Sequence, residues 1–290
     1  MKGQSSAGAR LRGLLDHADG PVLVPGCGDA ISARLIEEAG FAATCISGGW
    51  TSGARGFLDV GLITLVEMAG NASYIAQAVN IPVLADADTG FGVDVNVARC
   101  VQEFERTGVA SIQIEDQGTP KRCGLMGDKI VVSVDEMASK VATAVGARQD
   151  DEFVIIARTD SLASEGVERA IDRGLAYFEA GADMLMVEAL QAEDEVAAVA
   201  TAFAGQHLVF NRTPQSFAPI VPLDRLGGYS LIYFPMHLVL ASLSLQRDML
   251  AEIMQTGMCN SFENGMASVG DFFDLFGTER AAEPAARRGD

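Results

Sequence analysis

Eight short, almost unbroken apolar runs with helical patterns between them constrain this sequence more than any other feature. They cover residues 22–25, 43–47, 82–86, 111–115, 154–158, 184–188, 208–211 and 231–234. A strand with one wet face alternates polar and apolar residues. A run without alternation suits a strand covered on both faces, as in a parallel sheet. Three of the runs follow the same punctuation, EEAG (37–40), ERTG (105–108) and FEAG (178–181). In each, a helix ends at a glycine that can take the left-handed cap, and a strand begins. Ser133 and Glu136 have the spacing of a capping box, which predicts a helix over 134–147. Eight strands alternating with helices predict an α/β fold, a (β/α)8 TIM barrel. An open doubly wound sheet would place a glycine-rich phosphate loop after an early strand, and PGCGDA (25–30) is a weak match to one. The expected organisation is one barrel domain over 1–276, with a long helical segment at 235–257. Residues 277–290 read as a flexible tail.

Polar residues gather where these runs end. Asp86 and Asp88 stand in VLADADTG, Glu115 and Asp116 in IQIEDQ, Arg158 and Asp160 in IIARTD, Glu188 in LMVEA, and Asn211 and Arg212 in VFNRT. One polar residue after a buried strand is merely the first solvated position. Five strands ending this way, with both signs of charge, predict a site on the rim where the C-terminal strand ends of a barrel converge. Asp86, Asp88, Glu115 and Glu188 offer only oxygen, which suits Mg²⁺, with Mn²⁺ as an alternative. Two residues apart on a strand, Asp86 and Asp88 are expected to face the same side. Arg158 closes an apolar run, where a charge is costly unless paired, and a substrate carboxylate is a natural bidentate partner. Ser47, Gly48 and Gly49 in CISGGW leave room for backbone N–H groups to approach an anionic oxygen.

One further stretch, PKRCGLMGDK (120–129), sets a cysteine after Lys121 and Arg122 and before Gly124. Adjacent cations lower a thiol's pKa from about 8.5, which makes Cys123 a candidate for proton transfer near neutral pH. The other four cysteines, Cys27, Cys45, Cys100 and Cys259, read as structural. Five scattered cysteines make neither a disulfide framework nor a zinc pattern, consistent with a reducing cytoplasm. A formal net charge of −18 argues against nucleic acid and anionic membrane as partners. No apolar run is long enough to span a bilayer, and the first twenty residues lack the apolar core of a signal peptide.

DADTGFG (86–92), QIEDQ (113–117), PKRCG (120–124), IIARTD (155–160) and AGADMLMVEA (180–189), in this order and spacing, resemble the isocitrate lyase/phosphoenolpyruvate mutase superfamily. The KRCG loop resembles its methylisocitrate lyase and dimethylmalate lyase branch, and also carboxyphosphonoenolpyruvate phosphonomutase. The resemblance implies a barrel whose last helix is swapped between subunits, a homotetramer built as a dimer of dimers, and Mg²⁺. It implies that Asp86, Asp88 and Glu115 form the metal sphere with Asp59 nearby. Ser47, Gly48, Gly49 and Arg158 would hold the oxo-acid half of a small carboxylate substrate, and Glu188, Asn211 and Gly124 would line the pocket. Cys123 would donate the proton, with Lys121 beside it. The implied reaction breaks the C2–C3 bond of a substituted malate. A phosphonomutase-like isomerase or a catalytically silent member is the alternative. The chain departs from the branch at Leu125, Pro214 and Leu240, where polar residues are usual, and at Cys45 and Trp50. The expected consequence is an apolar or small distal arm on the substrate.

Overall fold

In the computed structural model, which describes residues 5–124, 126–190, 192–213, 222 and 225–277, the apolar runs become eight parallel strands. These are β1 (Val22–Cys27), β2 (Thr44–Ile46), β3 (Val83–Asp86), β4 (Ser111–Glu115), β5 (Val154–Thr159), β6 (Met184–Val187), β7 (His207–Asn211) and β8 (Leu231–Phe234). Each pairs with the next, and β8 returns to β1, so the sheet is a closed barrel with no free edge. Observed ends differ from the expected ones by no more than two residues. The helices are α1 (Ala7–His17), α2 (Ala30–Glu38), α3 (Gly48–Ala54), α4 (Leu65–Ala78), α5 (Asp94–Thr107), α6 (Val134–Ala147), α7 (Leu162–Glu165), α8 (Val167–Glu179), α9 (Glu193–Ala202), α10 (His237–Thr256), α11 (Asn260–Glu263) and α12 (Val269–Asp274).

The punctuation works as expected. Gly40, Gly108 and Gly181 have φ of 87°, 87° and 102°, the left-handed region that glycine adopts without strain. Only half of the anticipated capping box at α6 forms. Ser133 accepts from the Glu136 amide at 3.2 Å, while Glu136 reaches along the helix towards Lys140, 3.5 Å away.

Strand alternation divides the apolar residues into two layers. One lies between sheet and helices and includes Ile112, Ile114, Ile155, Ala157, Leu185 and Leu208. The other fills the barrel interior with Val24, Cys45, Leu84, Val154, Ile156, Met184, Met186, Val209, Leu231 and Tyr233. The same period of two carries the interior face upward from Val154 and Ile156 to Arg158, and from Leu84 to Asp86. The interior is therefore apolar at its floor and polar at its C-terminal rim.

Two compact units make up the chain, residues 1–237 and 238–290. The first holds the barrel. Among the described residues of the second, α10 buries none of its side chains, and Leu243, Leu245, Leu250 and Ile253 are exposed on it. Of the tail expected at 277–290, residues 278–290 lie outside the described residues, as do Leu125 and Pro214. No helix among the described residues is long and apolar enough to cross a membrane.

Candidate active site

A cavity of about 70 Å³ opens at the rim. Asp86 and Glu115 enter it from the ends of β3 and β4, and Arg158 from β5. Glu188, one residue beyond β6, and Asn211, at the end of β7, complete that wall. Ser47, Gly48 and Gly49 line the β2 side, where Ser47 caps α3 by accepting from the Trp50 amide at 3.2 Å. A Cβ on Gly48 would collide with Asp86 Oδ2, so only glycine lets the backbone approach that carboxylate. Cys123, Gly124, Lys121 and Asp59 border the cavity as well. Asp116, Asp160 and Arg212, also at strand ends, do not line this space, while of the thirteen residues to which the resemblance gives a role in the metal sphere, the substrate pocket or proton transfer, twelve do.

The exception is Asp88. Strand β3 stops at Asp86, and Asp88 takes φ of 47°, which breaks the alternation expected to point both carboxylates the same way. Its side chain faces a neighbouring cavity of about 590 Å³, lined also by Thr64, Asn96, Arg99 and Thr119. Lys121 stands between the two spaces and lines both. The Lys121 ammonium pairs with Asp59 Oδ1 and lies 2.6 Å from Asp88 Oδ1. Burial, and next the charge of Asp86, push the Asp88 carboxyl up to about 6, with Lys121 opposing. Arg122 turns the other way, to the Gly127 carbonyl and Asp128, so of the two cations flanking Cys123 only Lys121 reaches the cavity.

Arg158 is 6 % exposed. Asp160 holds its guanidinium in a fork, accepting from Nε and Nη2 at 2.9 Å each. Glu115, directly across the ladder from Arg158, lies 3.4 Å away, and Glu188 lies 3.8 Å away. Burial drives the Glu115 carboxyl upward, with Arg158 acting against it. Burial also acts on Asp160, but Arg158 and then Lys129 outweigh it and hold that carboxyl below the ordinary aspartate range. Asn211 donates to both oxygens of Glu188, at 3.1 and 2.9 Å.

Several acceptor atoms in the lining are buried without a hydrogen-bond partner: Glu115 Oε1, Gln113 Oε1 and Asn211 Oδ1. Unsatisfied buried oxygens are rare and costly, and here they belong to residues bordering one small space. They fit a ligand that is cationic or rich in donors. No three acidic, imidazole or thiol side chains among the described residues stand close enough to grip a bare ion. The all-oxygen set suits Mg²⁺, which keeps several waters and touches one or two carboxylates directly.

The family model described as phosphoenolpyruvate phosphomutase matches residues 11–254, which include every strand of the barrel and every residue of this rim. The chain belongs to the phosphoenolpyruvate phosphomutase family. Within the family it is 40 % identical to a 2-methylisocitrate lyase of Aeropyrum pernix, over 93 % of this chain and 87 % of that one. It is 37 % identical to a 2,3-dimethylmalate lyase of Eubacterium barkeri, over 95 % and 96 %. A crystal structure of 2,3-dimethylmalate lyase superposes with a TM-score of 0.92 at 31 % identity, covering 99 % of this chain and 97 % of that one.

The five cysteines form no disulfide. Cys27, Cys45 and Cys100 are buried, and burial pushes the Cys27 thiol up to about 12. Cys123 and Cys259 are half-buried. Sequence reasoning missed Gln113, Met236 and Lys129. Gln113 shares the inward face with Glu115, and the alternation of β4 was signal enough to find it. Met236 enters from the turn after β8, its sulfur 3.3 Å from Ser47 Oγ, a contact with no local signature.

Proposed function

We propose that this chain is a Mg²⁺-dependent carbon–carbon lyase that cleaves a substituted malate-type 2-hydroxy acid into a 2-oxo acid and a carboxylic acid. The observation that carries the proposal is the placement of Cys123 beside the same small cavity as Arg158 and the unpartnered oxygens of Glu115, Gln113 and Asn211. The names of the Aeropyrum and Eubacterium relatives point to the same reaction class. Asp86, Asp88 and Glu115 are the residues suited to hold the ion, directly or through water. Held there, Mg²⁺ would supply positive charge that stabilises the negative charge developing on the oxo-acid half of the substrate.

The chain's own side chains account for the rest. Arg158, fixed by Asp160, presents donors to the substrate carboxylate and favours the anionic oxo acid as it develops. The Ser47–Gly49 backbone, open because neither glycine carries a Cβ, accepts the same half of the molecule. Breaking C2–C3 leaves the electron pair on C3, and the 2-hydroxyl proton passes to a carboxylate of the lining, such as Glu188, as its oxygen becomes a carbonyl. Cys123 gives its thiol proton to C3, so the second product leaves as a carboxylate with a new C–H bond, and the thiolate regains its proton from solvent after product release. Lys121, tied to Asp59 and Asp88, compensates the carboxylates below the loop.

The test is to incubate the purified protein with Mg²⁺ and a panel of alkyl-substituted malates and measure the 2-oxo acid released. Its appearance, lost on chelation, supports the reading. Absence of any oxo acid across the panel overturns it, as does a phosphonate formed from a phosphoenol ester instead.

A further inference from the structure

A lysine after an aspartate in a polar turn ordinarily keeps its ammonium in water. Lys129 does not. Its side chain is 5 % exposed, and its Nζ donates to the Gly124 carbonyl at 2.8 Å and to Asp160 Oδ1 at 2.6 Å. Removing an ammonium from water is costly unless charge and hydrogen bonds replace the lost hydration, and here one carboxylate and one carbonyl do so.

Both partners belong to the site. Asp160 is the residue that grips Arg158, and its Oδ1 accepts from Arg158 Nη2 and Lys129 Nζ together. Asp160 is itself fixed from behind, its amide donating to Asp116 Oδ1 at 2.8 Å. Gly124 is the residue after Cys123, and it lies so close to Arg158 Nη2 and Glu188 Oε1 that a Cβ would overlap the first and crowd the second. Lys129 itself does not line the cavity.

We propose that Lys129 is a positioning residue that clamps the Gly124 carbonyl to Asp160 and thereby seats the Cys123 turn over Arg158. The clamp ties the proton donor and the carboxylate-binding guanidinium to one shared anchor, next to the bond from the Cys123 amide to the Asp59 carbonyl at 3.0 Å. The clamp rests on geometry alone; its service to turnover rests on the lyase reading above.

The experiment measures alkylation of Cys123 by iodoacetamide, peptide by peptide in a mass spectrometer, with Cys259 as the internal reference. Lys129→Met is expected to raise the Cys123 rate by about tenfold, the effect of losing about 1.4 kcal/mol from local closure, with Cys259 unchanged. Lys129→Arg, which keeps the charge and donors, is expected to stay much nearer the parent. Asp160→Asn removes the anchor from the other end and is expected to raise the rate as well. A folded Lys129→Met or Asp160→Asn protein with the parental rate overturns the clamp, and failure of both to fold overturns it in favour of a purely structural role. On the lyase reading, Lys129→Met also lowers kcat more than it raises KM. If Cys123 is deprotected in the variants but the parent cleaves no malate, the clamp stands and the lyase reading falls.

Discussion

One dihedral angle separates Asp88 from the carboxylate two residues before it. Asp86 ends a strand and follows its alternation; Asp88, at φ of 47°, turns towards Lys121 and the larger cavity. Lys121 stays paired with Asp59 when the Asp88 carboxylate is removed, so no buried cation is stranded. Asp88→Ala is therefore expected to remove Mg²⁺ binding and turnover while leaving the far-ultraviolet circular dichroism unchanged. Titration calorimetry decides the matter, and parental Mg²⁺ affinity in the variant would remove Asp88 from the proposed metal sphere. Cys123 makes a different kind of test. No histidine accompanies it in the 120–129 stretch, so it is expected to act as an acid rather than as a covalent nucleophile. Cys123→Ser should lose turnover by about 10²–10⁴, the contribution of a positioned proton-transfer group, and should still bind the oxo-acid product. A covalent adduct on Cys123 during turnover, or a serine variant as fast as its parent, argues for another role.

At the scale of elements, β4, β5 and α8 meet behind the site around Asp116, which is fully buried. Its carboxylate accepts from Thr159 Oγ1 and Tyr177 OH at 2.7 Å, from the Asp160 amide at 2.8 Å, and from Arg173 Nη1 at 3.3 Å. Removing one partner of such a buried set strands the other donors, Arg173 above all. Asp116→Ala is expected to cost about 3–5 kcal/mol, read as a shift in the urea midpoint; a change below about 1 kcal/mol, the scale of an exposed pair, would mean water replaces the carboxylate. Asp116 stood in plain view beside Glu115, yet its role was not legible, because its partners Tyr177 and Arg173 lie on a helix some sixty residues away in sequence. The strands were legible because double-sided burial writes itself into every residue of a run. The rim residues were legible because charge interrupts such runs. Lys129, Met236 and the turn at Asp88 were not, since each depends on which loops the closed barrel brings together rather than on any period in the chain.

For the molecule as a whole, the shape of the cavity bears on which malate it accepts. Leu125 and Pro214, two of the positions behind the expectation of an apolar distal arm, lie outside the described residues, and Leu240 belongs to the second unit. The described lining nonetheless supplies Met186, Tyr233, Pro235 and Met236 along one side. Arg212, a cation just past β7 that would favour a distal carboxylate if it faced the cavity, has its guanidinium 6.0 Å from the Phe234 ring centre and is absent from the lining. Dimethylmalate is accordingly expected to show a higher kcat/KM than methylisocitrate, and a clear preference for the tricarboxylate sinks the idea. The exposed leucines and isoleucine of α10 fit the proposal that this helix is covered by a second copy of the chain in a tetramer. Sedimentation equilibrium should give four chains for the full-length protein and fewer when residues after 237 are removed; a full-length monomer ends that proposal. The closed sheet also has a consequence for biosynthesis. β1 begins at Val22 and finds its second neighbour only when Leu231–Phe234 has been made. At ordinary elongation rates the nascent barrel waits on the order of 10–40 s with an open seam. Through that interval the half-made sheet offers unpaired backbone to any other strand in reach, and β1, the first strand of the barrel to be made, keeps an open edge longest.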